Sequence, residues 1–365
     1  MKKIRVGVIF GGQSAEHEVS LQSAKNVIAS LDREKYEPLL IGIDKEGKWH
    51  LQDEGSFLLH ATDPSRVVLH TSSENVSLIP WKSAANIQSV TQNLGLDVIF
   101  PVLHGPYGED GTIQGLLKLA HLPFVGAGVL GSAVGMDKDV MKRLLKSEGL
   151  PVGKFLVFRE HERKTISYDE LKKSLGIPFF VKPANLGSSV GVSKVHSDKE
   201  FEKAIDDAFS YDTKILIEEF IDGREIECAV LGNENPEASV AGEIIPTHEF
   251  YSYDAKYIDE KGAKLVIPAM LSGETLSEVQ ELATKTFEVL CCEGMARVDF
   301  FLTKDGKLFV NEINTIPGFT KISMYPKLWE ASGVMYTELI DRLITLAINR
   351  FEKEQQLKTH QSEKR

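Results

Sequence analysis

Cysteine is scarce in this chain: Cys228, Cys291 and Cys292 are the only three in 365 residues. An odd number without metal-ligand spacing supports neither a disulfide framework nor a zinc centre, so buried thiols in a reducing cytoplasm are expected. Long apolar runs are equally absent, and nothing approaches the ~20 residues of a membrane helix. Met1-Lys2-Lys3-Ile4-Arg5-Val6 starts like a signal peptide, but the apolar stretch is broken by Arg5 and runs into Gly11-Gly12, so a first strand and a cytoplasmic chain are expected. Positive charge is in deficit, with 42 Lys and Arg against 53 Asp and Glu for a net −11. That balance repels polyanions and argues against an extended nucleic-acid or anionic-membrane footprint, while leaving room for a local basic pocket holding a small phosphate ligand. No GxxxxGK[ST] loop occurs, and Gly7-Val8-Ile9-Phe10-Gly11-Gly12 lacks the GxGxxG order of dinucleotide folds.

What is present is an ordinary globular composition, 42% hydrophobic and 26% charged, long enough for two to three domains of roughly 150 residues. Residues 4–10 read as a buried strand, followed by a helical pattern at Leu21, Ala24, Val27, Ile28 and Leu31. Further strands are expected at 39–43, 97–103 and 123–126, with a helix over 112–120. Alternating strands and helices imply a mostly parallel sheet with ligands beyond its carboxyl ends, where Gly11-Gly12 and His104-Gly105 fall. A glycine-rich stretch, 126–135, precedes a helix at 137–148 and suggests a domain boundary near 135. Beyond it the pattern becomes α+β, with strands at 179–183, 190–195, 215–220, 225–231 and 240–245. Helices are expected at 198–209, 277–289 and 336–351, and the polar tail 352–365 reads as frayed.

The segment Ala296 to Thr315 reads as two apolar-rich strands around Asp305-Gly306, a strong two-residue hairpin signal. With those two residues as the loop, Lys304 pairs with Lys307, Asp299 faces Glu312, and Arg297 faces Asn314. Two carboxylates with Cβ atoms roughly 4.5–5.5 Å apart repel each other and call for a cation. Asp, Glu and Asn are hard oxygen ligands that favour Mg²⁺ or Mn²⁺ between carboxylates and substrate phosphates, and Arg297 beside them suits an anionic transition state. The alternative is a solvated sheet face with two incidental acids. A four-residue loop would preserve the shared face, and an odd loop would break it.

Lys182 to Gly191, KPANLGSSVG, combines a lysine with Gly and Ser after a strand end, the chemistry of a phosphate cradle or of an ordinary hairpin turn. Lys138 stands at a helix start, where the dipole prefers anions and a bound phosphate would compensate. Glu218-Glu219-Phe220-Ile221, then Glu225, read as a strand edge suited to an adenine, with an acid for ribose hydroxyls.

Together these segments resemble the ATP-grasp ligases, and within them the D-alanine:D-alanine ligases, from Gly11 to about Leu343. The resemblance is carried by GGQSAEHEVS (11–20), HGPYGEDGTIQG (104–115), MDK (136–138), KPANLGSSVG (182–191), EFYSYDAKY (249–257), ARVDF (296–300) and NEINTIPGFT (311–320), in the family's order. It implies an α/β and α+β chain: a Rossmann-like parallel-sheet domain over 1–135, then a two-lobed ATP-grasp domain over 136–223 and 224–351. Residues 248–268 would form a lid. The implied reaction phosphorylates the carboxylate of a first D-alanine with ATP, and a second D-alanine's amine then attacks. Two Mg²⁺ or Mn²⁺ are implied at Asp299, Glu312 and Asn314, with Glu312 bridging. For ATP the implied residues are Lys138, Lys182, Ser189, Glu218, Glu219, Phe220, Ile221, Glu225, Lys256 and Asn311. Glu16, networked with Ser188 and Tyr257, would receive the first ammonium, and His104 lies nearby. Arg297 and the Gly318 N–H would form the oxyanion site, with Ser323 and Met324 holding the second carboxylate. Tyr257 within DAKY argues for a dipeptide product over D-alanyl-D-lactate. A homodimer and a role in supplying peptidoglycan precursors are also implied. Two alternatives remain open: a relative making D-alanyl-D-lactate or D-alanyl-D-serine, and a nucleotide-binding regulator that has lost chemistry.

Overall fold

In the computed structural model of the chain, residues 2–60, 67–70, 76–78, 87–89, 92–246 and 263–358 are described. Three principal sheets organise them. The first runs in the order Trp49–Gln52, Tyr36–Ile43, Ile4–Gly11, Val98–Val102, with the last three strands parallel. Continuous apolar strands of this kind are buried on both faces. Helix His17–Ser30 covers one face with Leu21, Ala24, Val27 and Ile28, the pattern expected from the sequence. The expected strand at 123–126 is reduced to a single parallel bridge, Ile99 to Phe124, because Gly126 turns the chain away.

The second sheet is antiparallel, in the order Phe155–Arg159, Lys214–Glu219, Phe179–Pro183, Ser193–Val195. Alternation sends Phe179, Val181, Ile215 and Ile217 into a core with Phe201 and Ile205 of helix Asp198–Tyr211. Phe180, Lys182 and Glu218 therefore occupy the opposite face, with Phe180 paired to Glu218. The strand expected from 190 begins only at Ser193, since the preceding residues turn.

The third sheet is antiparallel in the order Ala263–Val266, Glu237–Pro246, Gly223–Gly232, Gly294–Thr303, Leu308–Asn314. Ile226, Cys228, Val230, Ala296, Val298 and Phe300 pack beneath helix Gly273–Val289. Its other face joins the helices Met324–Ala331 and Tyr336–Gln355 and the first sheet in one core, in which Phe10, Phe100, Phe319 and Tyr325 are fully buried. The last helix runs beyond the expected end at 351 and so takes in the start of the expected tail. The end of the expected lid, 263–266, is a strand paired with 243–246, while residues 247–262 lie outside the described ones. All three cysteines are free; Cys228 and Cys292 are buried as expected, but Cys291 is exposed at a left-handed turn.

The hairpin departs from its expected turn. Thr303 N–H donates to Lys307 O at 2.9 Å, leaving a three-residue loop, Lys304-Asp305-Gly306, with Gly306 at φ 81°. That is the turn in which a left-handed glycine matches the strand twist. The odd loop shifts the pairing, so that Leu302 faces Leu308 and Phe300 faces Val310. A β-bulge between Asp299 and Phe300 then absorbs one residue. Beyond the bulge Asp299 faces Glu312 and Arg297 faces Asn314, as the two-residue loop had required. The extra residue is Asn311; with Val310 and Ile313 both in the core, Asn311 and Glu312 turn to the other face together. A Cβ at Gly306 meets open space, so Gly306→Ala carries only the left-handed backbone cost of about 1 kcal/mol. Urea denaturation should show that loss with turnover unchanged.

Candidate active site

The bulged hairpin and the strand beside it build one wall of the site. Glu225 and Glu227 alternate with core residues on Gly223–Gly232, as do Arg297, Asp299 and Phe301 on the next strand, so all five share a face with Asn311, Glu312 and Asn314. The opposing wall is the face of the second sheet that carries Phe180, Lys182 and Glu218. Between them lies a cavity of about 230 Å³. Lys138, Lys182, Ser189, Glu218, Glu219, Phe220, Ile221, Glu225 and Asn311 all line it, so every described residue expected to contact ATP reaches one space. Phe180 and Phe220 lie 6.2 Å apart between ring centres, with Lys194 Nζ 4.4 Å above the Phe220 ring.

Buried charge dominates the cavity floor. Glu218 accepts an ion pair from Lys182 at 2.5 Å and another from Lys142 at 3.2 Å. Burial opposes its ionisation, but the two ammonium groups outweigh that and hold the carboxylate below its ordinary range. Burial pulls the Lys142 ammonium below the usual lysine range, against the pull of Glu218. Lys142 was missed from sequence, although its i,i+4 spacing from Lys138 on helix Lys138–Ser147 was a usable signal. Asp137 caps that helix by accepting from Asp139 N–H and Val140 N–H, and it also pairs with Lys214 at 2.7 Å. The cap answers the dipole and leaves Lys138 free to reach inward, where Nζ donates to Leu186 O at 2.6 Å and lies 3.5 Å from Glu312.

The Gly-Ser turn is a strained loop. Ser188 and Ser189 are consecutive left-handed residues, φ 52° and 60°, a conformation that concentrates at functional sites. Ser188 Oγ donates to the Glu16 carboxylate, which ties the turn to the start of helix His17–Ser30. Glu16 stands at the start of helix His17–Ser30, where its side chain makes no cap hydrogen bond. His104 is fully buried and its Nδ1–H donates to Ile316 O at 2.9 Å. Burial lowers its pKa, leaving a neutral ring whose Nε2 has no hydrogen-bond partner among the described residues. Gly318 approaches Ser323 so closely that a Cβ would stand 2.8 Å from Ser323 Oγ. Ser323 accepts from Thr320 N–H at 2.9 Å and precedes helix Met324–Ala331, whose first N–H groups face outward from its start. Lys256 and Tyr257 lie outside the described residues.

At the acidic hairpin, Arg297 grips Asp299 with both Nε and Nη2 at 2.7 Å, and Asn314 Nδ2 donates to the same carboxylate at 3.3 Å. Among the described residues no cluster of three His, Cys, Asp or Glu stands ready for a metal; the donor set is two carboxylates and an amide. The cavity nevertheless fits divalent cations. Its ionisable lining, Lys138, Lys182 and Lys194 against Glu218, Glu219, Asp222, Glu225 and Glu312, opposes a polyphosphate that arrives without them. A smaller cleft lined by Lys138, Leu186, Gly187, Glu312 and Asn314 joins this end to the Gly-Ser turn.

Glu109 was also missed from sequence. Its two carboxyl oxygens accept from Gly105 N–H at 2.8 Å and Ile316 N–H at 3.1 Å, clasping the His104 turn to the loop that follows Asn314. Burial, then the nearby Glu16 charge, push its pKa up to about 8. The native state therefore holds a proton that the unfolded chain releases above its ordinary 4.5, so this group costs stability increasingly as pH rises to about 8. Melting curves of the parent and Glu109→Gln between about pH 5 and about pH 8 should converge or cross in the variant's favour as pH rises. Parallel curves would contradict the assignment.

Known proteins resemble this chain over nearly its whole length. The family models described as D-ala D-ala ligase N-terminus and C-terminus match residues 5–127 and 144–345. A D-alanine–D-alanine ligase of Oceanobacillus iheyensis is 56% identical over 368 residues, covering 100% of both chains. D-alanine–D-alanine ligase A of Escherichia coli is 52% identical, covering 98% of this chain and 100% of that one. Among solved structures, the D-alanine-D-alanine ligase from Coxiella burnetii aligns with TM-score 0.86 at 41% identity over 97% of each chain. VanG D-Ala:D-Ser ligase from Enterococcus faecalis aligns with TM-score 0.84 at 35% identity, over 95% of this chain and 100% of that one.

Proposed function

Because this chain belongs to the D-alanine–D-alanine ligase family and has its ATP-grasp fold, we propose that it joins two D-alanines at the expense of ATP, through an acylphosphate, to supply peptidoglycan precursors. The observation that carries the reading is the single cavity onto which the lysines, the Gly-Ser turn and the acidic hairpin converge. A carboxylate resists attack by an amine because its leaving group would be oxide. In the proposed first step a carboxylate oxygen of the first D-alanine attacks the γ-phosphorus and ADP leaves. The amine of the second then attacks the carbonyl carbon, and the tetrahedral intermediate collapses with loss of inorganic phosphate and of the amine's proton.

Each group of residues has a task suited to its chemistry. Phe180, Phe220 and Ile221 offer apolar surface to adenine, and Glu225 an acceptor to ribose hydroxyls. Lys138 and Lys182 supply point charge to the α- and β-phosphates, beneath the Ser188-Ser189 turn. Asp299, Glu312 and Asn314 are the residues to hold Mg²⁺ or Mn²⁺. Such ions would neutralise charge on the transferring phosphoryl group. Glu16 receives the first ammonium, with His104 Nε2 as a neutral acceptor close by. Arg297 and Gly318 N–H stabilise the oxyanion, and Ser323 with the Met324 N–H takes the second carboxylate. Lys256 and Tyr257 complete the γ-phosphate and ammonium contacts in this reading. The same reading takes residues 1–135, 136–223 and 224–351 as the domain and lobes, and pairs two copies as a homodimer. No helix among the described residues is long and apolar enough to cross a membrane.

Phosphate release from ATP with Mg²⁺ tests the reading. D-alanine should support release and yield a dipeptide by mass, and L-alanine should not; release with D-alanine only when D-serine or D-lactate is also present would shift the product. ATP binding without release under any of these conditions would favour the inactive regulator. Glu312→Gln should lower release at least about a hundredfold, as loss of a group acting on transition-state charge does. Its circular dichroism should be unchanged, and turnover like the parent's would contradict the metal assignment.

A further inference from the structure

Glu227 has no task in the reaction just described, yet it is a carboxylate only 5% exposed. It lies on the strand Gly223–Gly232 directly opposite Asp299, and its Oε2 forms an ion pair with Arg297 Nε at 3.0 Å. Arg297 thus stands between two carboxylates. Toward Asp299 it commits two hydrogen bonds of 2.7 Å, so both Asp299 oxygens are occupied by a guanidinium before any cation arrives. For Asp299 to ligate a divalent ion, as the reading above requires, it must turn part of its carboxylate from Arg297 to that ion. A half-buried guanidinium that lost its counter-ion would oppose this exchange, because a charge partly removed from water is costly to leave uncompensated.

We propose that Glu227 is a positioning residue that holds Arg297 when Asp299 passes to the cation. The inference rests on the metal assignment proposed above. Glu227 keeps the guanidinium neutralised and fixed at the oxyanion position, so that cation binding and arginine placement do not compete. Without the Glu227 charge, Asp299 becomes the guanidinium's charged partner in this pair of strands and is withheld from the ion. Glu227 touches no reacting atom; it acts through Arg297.

The test is Mn²⁺ binding in the presence of ADP, read from the loss of the free-ion electron paramagnetic resonance signal, with kcat measured alongside. Glu227→Gln, nearly the same size, should weaken Mn²⁺ binding about tenfold and lower kcat, while Glu227→Asp, which keeps the charge, should recover part of both. In an Arg297→Ala background the Glu227→Gln change should no longer alter Mn²⁺ affinity, since the arginine that competes for Asp299 is gone. A merely structural role would weaken binding equally in both backgrounds. Unchanged Mn²⁺ affinity in Glu227→Gln, or an equal loss in both backgrounds, overturns the inference; if Glu227→Gln fails to fold, Glu227→Asp in the two backgrounds gives the same comparison. A parent protein that binds no Mn²⁺ with ADP overturns the metal assignment itself and this inference with it.

Discussion

Glu218, buried between Lys142 and Lys182, is the interaction on which the arrangement of the site depends. Two ammonium groups brought out of water near one another repel, and one carboxylate satisfies them only in part. A further lysine, Lys138, approaches from the same helix as Lys142 and meets Glu312 from the other wall. The second sheet, the helix at 138–147 and the bulged hairpin are thereby drawn to one point by charge. In the proposed reading, a polyphosphate with its cations is the ligand whose charges complete that set.

The second constraint is one of register. Side chains on a strand alternate, so a one-residue slip would turn Asp299 and Glu312 to opposite faces. The three-residue turn at Lys304-Asp305-Gly306 introduces such a slip, and the bulge at Asn311 removes it. The bulge also brings two neighbouring residues, Asn311 and Glu312, onto the same cavity wall, which a regular strand cannot do. The apolar face beneath stays continuous, because Val310 and Ile313 remain in the core on either side of the inserted residue.

Much of this was legible in the order of residues. Strand patterns placed Lys182 at one strand end and Glu218 on another strand; that the two share a face needed the pairing of those strands. The hairpin pairing predicted Asp299 opposite Glu312. That pairing was reached through a turn of the wrong length, since Asp-Gly signals a tight hairpin without stating whether a third residue joins it. Glu109, Lys142 and Glu227 escaped notice for a common reason. Each acts through a partner distant in sequence, respectively Ile316, Glu218 and Arg297, and of the three only Lys142 carried a local signal, its i,i+4 spacing from Lys138. The contact of Glu16 with Ser188 was expected only through the family resemblance, since the two residues lie far apart in sequence. The family resemblance, carried by segments spread along the chain, joined what local pattern could not.

The central claim is that an oxygen of the first D-alanine's carboxylate becomes bonded to the γ-phosphorus of ATP. Running the reaction with D-alanine whose carboxylate is labelled with oxygen-18, and analysing the released phosphate by mass, tests this most directly. The account predicts that each phosphate carries one labelled oxygen taken from D-alanine. Dipeptide formed with wholly unlabelled phosphate would contradict it.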